Sequence, residues 1–191
     1  MNKNLEKLLS EKQVFSTAVA RQYGLSPALL AYYQKKGLIE RVNRGLYKKS
    51  RYDPHISPQW EDLVYTALSV PESVICLLSA LALYDMTEEI PRKHWIAVSN
   101  DRMAPRRKGV RIVRLRDIDL GQTELKMGDL NVPIFDKERT VIDAFRYLSK
   151  EIAIKALRAY LSQQKPNFNK LYEYGKKLRM DIEPYVLSLA T

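Results

Sequence analysis

The chain has few of the residue types from which most catalytic and metal sites are built. Its 191 residues include one cysteine, two histidines and seven glycines. A single thiol excludes an intramolecular disulfide, and Cys76 lies in the uncharged run SVICLLSALALY, where we expect it to be buried and unreactive. The sequence has no zinc-ligand spacing, no Ser-His or Cys-His pair to propose and no glycine pattern of a phosphate-binding loop. We therefore expect no metal, no cofactor and no enzyme activity.

Long hydrophobic runs and a targeting signal are also missing. The longest uncharged run, residues 73–84, has twelve residues, whereas a membrane span needs at least about 18. No charged and then apolar segment opens the chain. The hydrophobic content of 46% is still enough to fill a core. We expect a soluble cytoplasmic protein with no membrane partner.

Positive charge is concentrated at the N-terminus. The net charge is +10, and the first fifty residues contribute ten basic and three acidic side chains, or +7. The other 141 residues carry 22 basic and 19 acidic side chains, only +3. This asymmetry is typical of a polyanion-binding module joined to a nearly balanced domain. The alternative is a basic face that is merely solvated.

Three short helices are predicted within this basic region. Leucines at positions 5, 8 and 9 have the spacing of an amphipathic helix. The second helix is STAVARQYG, residues 16–24, with Ser16 or Thr17 as its N-cap and Gly24 at its end. The third begins at Ser26-Pro27 and runs to Gly37. Because about three residues join the second and third helices, the pattern indicates a helix-turn-helix.

The third helix has an apolar and a polar face. Leu30 and Tyr33 are assigned to the core, so small side chains, a tyrosine and a lysine are left on the face that would enter a DNA groove. Residues 38–42 alternate as a strand, 43–45 form a turn and 46–49 return, which predicts a basic wing. The predicted contacts to double-stranded DNA are Ser26, Ala28, Ala31, Tyr32, Lys35, Lys36, Arg44, Lys48 and Lys49. The alternative is a winged helix that binds proteins.

Residues 50–58, with two prolines, predict a linker that separates a domain over 1–53 from a domain over 54–191. The second domain is predicted to contain helices over 60–68 and 73–84, with Pro71 near the start of the latter, and strands over 93–98, 110–113 and 130–134. Helices over 141–148, 151–163, 167–178 and 181–189 complete the chain. The predicted fold class is α+β: an N-terminal winged helix-turn-helix and a C-terminal mixed α/β domain, a small sheet flanked by helices.

Two features of the second domain are candidates for chemistry. One is similar to the metal-binding pattern of nucleases, an acidic residue followed by Glu-x-Lys. It consists of Asp101, or Asp117 and Asp119, ahead of Glu124-Leu125-Lys126. The acids stand beside arginines, which favours ordinary ion pairs. Seven cations between residues 102 and 116, among them Arg106, Arg107 and Lys108, could extend the nucleic-acid surface, bind an acidic partner or form a solvated loop.

Five segments are similar to a known family: residues 24–26, 36–41, 44–47, 79–81 and, most specifically, PIFDKERTVID over 133–143. They resemble the AbiEi-type antitoxins of type IV toxin-antitoxin, or abortive-infection, systems that act in phage defence. The resemblance covers nearly the whole chain, and its most specific piece opens a helix after a strand.

The resemblance implies that the winged helix-turn-helix binds inverted repeats in its own promoter and represses its operon. It also implies that the C-terminal domain counteracts a nucleotidyltransferase toxin without forming a stable complex. The residues that the motif singles out are Glu138, Arg139, Thr140 and Asp143. Arg139 and Asp143 are four positions apart on one helical face, so bracing that helix is the alternative role. A plain winged-helix regulator with a ligand-sensing or dimerising C-terminal domain is the alternative function.

Overall fold

A computed structural model describes residues 3–104, 106–163 and 165–189 of the chain. It divides the chain into two compact units. Unit 1 comprises residues 1–71 and 126–131, and unit 2 comprises residues 72–125 and 132–191. The described elements are mixed helix and strand, and the predicted α+β class is confirmed.

Unit 1 begins with the three predicted helices. They are α1 (Lys3–Glu11), α2 (Thr17–Gln22) and α3 (Pro27–Lys35). The leucines at positions 5, 8 and 9 of α1 are buried and join Leu25, Leu30 and Tyr33 in one apolar cluster. This cluster fixes which face of α3 stays in solvent.

A three-stranded antiparallel sheet completes the winged fold. The predicted hairpin is β2 (Ile39–Asn43) and β3 (Leu46–Lys49). Its third strand, β1 (Val14–Ser16), was not predicted, and it pairs with β3 so that Phe15 lies opposite Tyr47. The stacked rings of these two residues, 6.0 Å apart, bring the hairpin against the helical core.

The first compact unit is longer than the predicted 1–53 domain. Helix α4 (Pro58–Ser69) packs on all three strands of the small sheet. Its apolar residues Leu63, Val64 and Ala67 are buried. The proline-rich stretch is therefore a connection inside unit 1, and unit 1 continues to Pro71.

The second sheet has five strands in the order β6-β5-β4-β8-β7. The strands are β4 (Val74–Ile75), β5 (His94–Ser99), β6 (Val110–Leu115), β7 (Gln122–Met127) and β8 (Leu130–Phe135). Strand β4 is antiparallel to β5 and parallel to β8, while β5 and β6 are parallel. The sheet is thus mixed, as predicted, and β6 and β7 are its edges.

The predicted helix over residues 73–84 is wrong in its first part. Val74 and Ile75 form β4, and helix α5 (Leu77–Leu83) starts after them. Leu77 has a positive φ of 47°, which turns the chain from strand into helix. Pro71 precedes β4 and starts no helix.

Four helices follow β8: α6 (Lys137–Tyr147), α7 (Lys150–Leu161), α8 (Phe168–Lys177) and α9 (Glu183–Leu189). Their apolar faces meet in one core of unit 2, which includes Ile142, Leu157 and Leu171. Helix α6 is central, because it contacts α5, α7 and α8.

Candidate nucleic-acid interface

Helix α3 is positioned by its cap and by its buried side. Ser26 is the N-cap, and its Oγ accepts a hydrogen bond from the amide of Leu29 at 3.3 Å. Pro27 occupies the first turn, where it needs no amide hydrogen. Leu30 and Tyr33 are buried. The helix is therefore held at its start and along one side, as the sequence predicts.

The exposed side of α3 carries the predicted groove-facing residues. At roughly 100° per residue, Ala28, Ala31, Tyr32 and Lys35 share one arc of the helix, and all four are exposed. Tyr32 is 52% exposed. Its ring packs edge-on against the buried Tyr33, with centroids 5.5 Å apart. A surface of two methyl groups, one oriented phenol and one lysine can approach base edges closely.

The tip of the wing is fixed to the start of α2. Gly45 has a φ of +75°, which a side chain would disfavour. Its carbonyl oxygen accepts hydrogen bonds from the Thr17 amide at 2.8 Å and the Thr17 hydroxyl at 3.3 Å. Asn43 Oδ1 accepts from the amide of Arg44 at 2.7 Å. The Arg44 side chain is exposed, so the wing presents a cation from an anchored turn.

The predicted lysines differ in their surroundings. Lys35, Lys36 and Lys49 are exposed, and the Lys36 ammonium lies 5.7 Å from the centroid of the Tyr32 ring. Lys48 is different, since its ammonium lies 3.6 Å from the Glu40 carboxylate and donates to the Tyr52 carbonyl at 3.0 Å. Its side chain is only 19% exposed. Lys48 is therefore the weakest of the predicted phosphate contacts.

The Glu40 carboxylate is held in its charged form. The amide of Arg51 and the hydroxyl of Ser50 both donate to it at 3.0 Å. These hydrogen bonds, together with the Lys48 charge, lower the pKa of Glu40 below its ordinary value. Glu40 is thus an ionised carboxylate within the wing at neutral pH.

Sequence reasoning left out one cation of the wing. Arg41 lies exposed on β2, and its Nε donates to the carbonyl oxygen of Asn43 at 3.4 Å. The signal was present, because Arg41 belongs to the same basic hairpin as Arg44.

The C-terminal motif residues lie inside unit 2. Arg139 and Asp143 are both about 1% exposed, and Arg139 Nε donates to Asp143 Oδ2 at 2.8 Å. Arg139 Nη1 also donates to the carbonyl oxygens of Asp117 and Leu120, at 2.8 and 2.7 Å. Gly121 packs so closely on Arg139 that an added Cβ would lie 2.7 Å from Arg139 Cβ. Arg139 thereby fastens the segment before β7 to helix α6.

Glu138 and Thr140 also have partners within the unit. Glu138 accepts from the Tyr160 hydroxyl at 2.8 Å and lies 3.6 Å from the Lys170 ammonium. Burial and this hydrogen bond raise the pKa of the Tyr160 phenol far above its ordinary value. Thr140 is buried and donates to the carbonyl of Phe135 at 3.3 Å. The burial of the motif favours the bracing role.

The basic cluster predicted between residues 102 and 116 begins before β6 and continues into it. Arg106 and Lys108 are exposed and Arg107 is half-buried. They lie in unit 2 at the edge of its sheet, where Arg111 and Arg114 of β6 join them.

The residues of the nuclease pattern lie on β7 and before it. Glu124 and Lys126 lie on β7. Among the described residues, no group of three or more His, Cys, Asp and Glu side chains could hold a metal ion. A hydrogen bond from Ser99 lowers the pKa of the exposed Asp101.

None of the helices in the described part of the chain has the length and apolar character that a membrane crossing requires.

A comparison of the sequence with known families matches part of unit 1. Residues 4–47 match the family model described as transcriptional regulator, AbiEi antitoxin. This match confirms the AbiEi-type resemblance for the N-terminal segment, while the similar segments 79–81 and 133–143 lie outside it. The AbiEi-like segment contains α1, α2, α3 and the hairpin up to Tyr47, and so includes the exposed face of α3 and Arg44. None of the curated proteins matches the chain.

Proposed function

We propose that unit 1 binds double-stranded DNA, with α3 in the major groove and the β2–β3 hairpin on the flanking backbone or in the minor groove. The observation that carries this proposal is the exposed face of α3 within a segment that matches a transcriptional regulator family. The charge of +7 on the first fifty residues supports it, because neutralised phosphates supply much of the affinity for DNA.

Each exposed residue has a proposed role. Ala28, Ala31 and Tyr32 contact base edges, because they project from the centre of the free face of α3. The lysines at positions 35, 36 and 49 neutralise phosphates, and Arg44 contacts DNA from the tip of the wing. Ser26 keeps its side chain for capping α3. Lys48 contributes less than the other lysines, because Glu40 partly compensates its charge.

The operator proposed for this surface is a pair of inverted repeats in the protein's own promoter, so that binding represses the operon. This proposal follows the family resemblance. Two copies of unit 1 are needed to occupy two half-sites, and half-sites on one face of DNA lie about one or more helical turns apart.

Unit 2 is proposed to counteract a nucleotidyltransferase toxin encoded alongside, without a stable complex. The support is the resemblance of residues 79–81 and 133–143, which lie in α5 and around the start of α6. The buried motif would act by maintaining the shape of unit 2, since Arg139 and Asp143 are not available to a partner.

One experiment separates the two activities in the full-length protein. A promoter–reporter fusion measures repression, and growth of cells that express the neighbouring toxin gene measures rescue. We expect the double variant Lys35→Ala/Lys36→Ala to lose repression and keep rescue, whereas Lys176→Ala, an exposed helical lysine of unit 2, keeps both. Loss of rescue together with repression would contradict the division of labour.

A plain transcriptional regulator is the second candidate, and the extent of the family match favours it. The match ends at residue 47 and leaves unit 2 uncovered. The same experiment distinguishes the candidates. Repression without any toxicity of the neighbouring gene, or without rescue by the wild-type chain, would support the plain regulator.

A further inference from the structure

The edge of the unit 2 sheet carries a concentration of arginines that DNA binding by unit 1 does not use. A cavity of about 440 Å³ lies beside β6 and is lined by Arg106, Arg107, Arg111 and Arg114 together with three apolar residues. None of the described residues that line it is acidic. A volume of this size is within the range of small-molecule sites.

Three of these arginines have no acidic partner among the residues that the structure describes. Within the described part of the chain, Arg106, Arg111 and Arg114 form no ion pair. Some arginines elsewhere in unit 2 are paired: Arg102 lies 2.6 Å from a Glu72 oxygen, and Arg146 lies 2.6 Å from Asp143. Three unpaired cations therefore converge on this one cavity.

The position of β6 explains how the cations converge. Strand β6 is an edge strand, with β5 as its neighbour. Arg111 and Arg114 are three residues apart, so they project from opposite faces of the strand. Both nevertheless line the cavity, which therefore opens along the free edge.

Arg111 is held in place by an aromatic ring. Its guanidinium carbon lies 4.2 Å from the centroid of Trp95, the residue opposite it on β5. A cation–π contact of this kind fixes the plane of the guanidinium group. Arg111 is thus a pre-oriented donor, and a planar fork of N–H groups matches phosphate oxygens.

A second concavity, of about 400 Å³, shares Arg111 with the first. Its lining combines Leu78, Ile90, Pro91 and Trp95 with the charged residues Glu89, Arg92 and Lys93, and Ile90 is 89% exposed. The apolar side chains of this mixed concavity lie next to the cationic one, an arrangement that suits a ligand with a flat apolar part and a multiply charged part.

We propose that the edge of β6 binds the phosphate groups of a nucleotide, with its base against the concavity that contains Ile90. Phosphate fits better than carboxylate, because three uncompensated guanidinium groups match the several negative charges of one polyphosphate. The source of the nucleotide is either a free nucleoside triphosphate or a nucleotide unit of a single strand, and the chemistry at the arginines is the same.

Binding can be followed through Trp95 in the full-length protein. The chain has two tryptophans, so Trp60→Phe leaves Trp95 as the only one. We titrate this variant with ATP, GTP, inorganic triphosphate, adenosine, a short single-stranded oligonucleotide and a poly-glutamate peptide. Calorimetry on the same samples detects binding that leaves the fluorescence unchanged.

We expect saturable binding of the phosphate ligands and none of adenosine. Arg106→Ala and Arg114→Ala should each weaken binding about tenfold, the loss of one charge-assisted contact. The matched control Arg158→Ala, an exposed arginine of α7, should leave it unchanged. Tighter binding of ATP or GTP than of the oligonucleotide identifies a free nucleotide as the source, and the reverse order identifies a strand.

Three results would overturn the proposal: no saturable binding of any phosphate ligand, equal weakening by the Arg158 control, or preference for poly-glutamate. Promoter binding is measured on every sample by fluorescence anisotropy. It should not change in Arg106→Ala or Arg114→Ala, so a failure at the β6 edge is distinguishable from a failure of DNA binding by unit 1.

Discussion

Replacing the buried Arg139 should destabilise unit 2 strongly, because this side chain joins three parts of the unit. It pairs with Asp143 on its own helix, donates to the carbonyls of Asp117 and Leu120 and lies over the ring of Phe135, 4.6 Å from its centroid. Arg139→Met keeps much of the apolar stem and removes every one of these polar contacts.

The size of the effect follows from the partners left behind. In Arg139→Met, Asp143 keeps only Arg146, whose side chain is 24% exposed, and two backbone carbonyls lose their donor. Breaking a buried ion pair by removing one partner costs about 3–5 kcal/mol. Since folded domains are stable by about 5–15 kcal/mol, this is a large part of the total.

Cys76 provides the assay. It is the only cysteine and is fully buried, and burial raises the pKa of its thiol well above the ordinary value, with the Asp143 charge adding to the shift. Labelling by a thiol reagent therefore requires opening of unit 2. Because about 1.4 kcal/mol corresponds to a factor of ten, we expect Arg139→Met to accelerate labelling about a hundredfold or more.

Two further variants control this prediction. Arg158→Met, on the exposed side of α7, should change stability by at most about 0.5 kcal/mol. Arg139→Met/Asp143→Leu should recover part of the loss, because no unpaired charge is then buried. A cost below about 1 kcal/mol for Arg139→Met, measured by labelling and by urea unfolding, would refute the bracing role.

Three other predictions concern unit 1. Lys36→Ala should reduce the slope of log affinity for DNA against log salt concentration by about one phosphate contact, whereas Lys48→Ala should reduce it less, because Lys48 is paired with Glu40. Equal slopes for the two variants would contradict this pairing. The hydrogen bond and charge of Asp129 raise the pKa of the exposed His55 above 6.5. Protonated His55 therefore stabilises the folded state fully at a pH below the His55 pKa of the unfolded chain. This stabilisation is lost as the pH rises through the His55 pKa of the folded protein. Nuclear magnetic resonance should find this pKa lowered in Asp129→Asn, and an unchanged titration would contradict the contact. Gly128→Ala should destabilise unit 1 by about 1–3 kcal/mol in thermal unfolding, because φ is 58° and the added methyl group would collide with the main chain of residues 54–55; an unchanged midpoint would contradict this packing.

Local patterns were sufficient to predict most of the winged fold. The leucine spacing of α1, the Ser26-Pro27 start of α3 and the turn that ends in Gly45 are decided by neighbours in sequence. The core assignments of Leu30 and Tyr33 follow from the same helical period. Each pattern is set by neighbours in sequence, although the contacts that bury these residues join separate elements.

The short strands β1 and β4 were not predicted, because they are extended only through pairing with strands that are distant in sequence. Strand β1 has three residues and pairs with β3, and β4 has two residues and pairs with β5 and β8. In isolation, the apolar run over residues 73–84 fits a helix, and only the sheet decides that Val74 and Ile75 are extended. Strand β7, an edge strand of mixed composition, gave no clear alternation.

The residue that lies opposite Lys48 depends on the pairing register of β2 and β3. A regular two-residue hairpin that pairs Asn43 with Leu46 would set Arg41 opposite Lys48. A bulge between Arg41 and Asn43 shifts the pairing, so that Glu40 lies opposite Lys48 instead. The sequence predicted Lys48 as a phosphate contact of the wing, and one extra residue in a strand places it beside Glu40.

The most direct test of DNA recognition by α3 is the ratio of affinities for the promoter duplex and for a random duplex, measured by fluorescence anisotropy on full-length protein. We compare the wild type with Tyr32→Ala and with Tyr147→Ala, a control tyrosine of unit 2 that is 43% exposed. Tyr32→Ala should lower the ratio about tenfold, since a lost base contact costs about 1–3 kcal/mol, and Tyr147→Ala should leave it unchanged. An equal loss on both duplexes for Tyr32→Ala, or no loss on either, would contradict the assignment of α3 as the recognition helix.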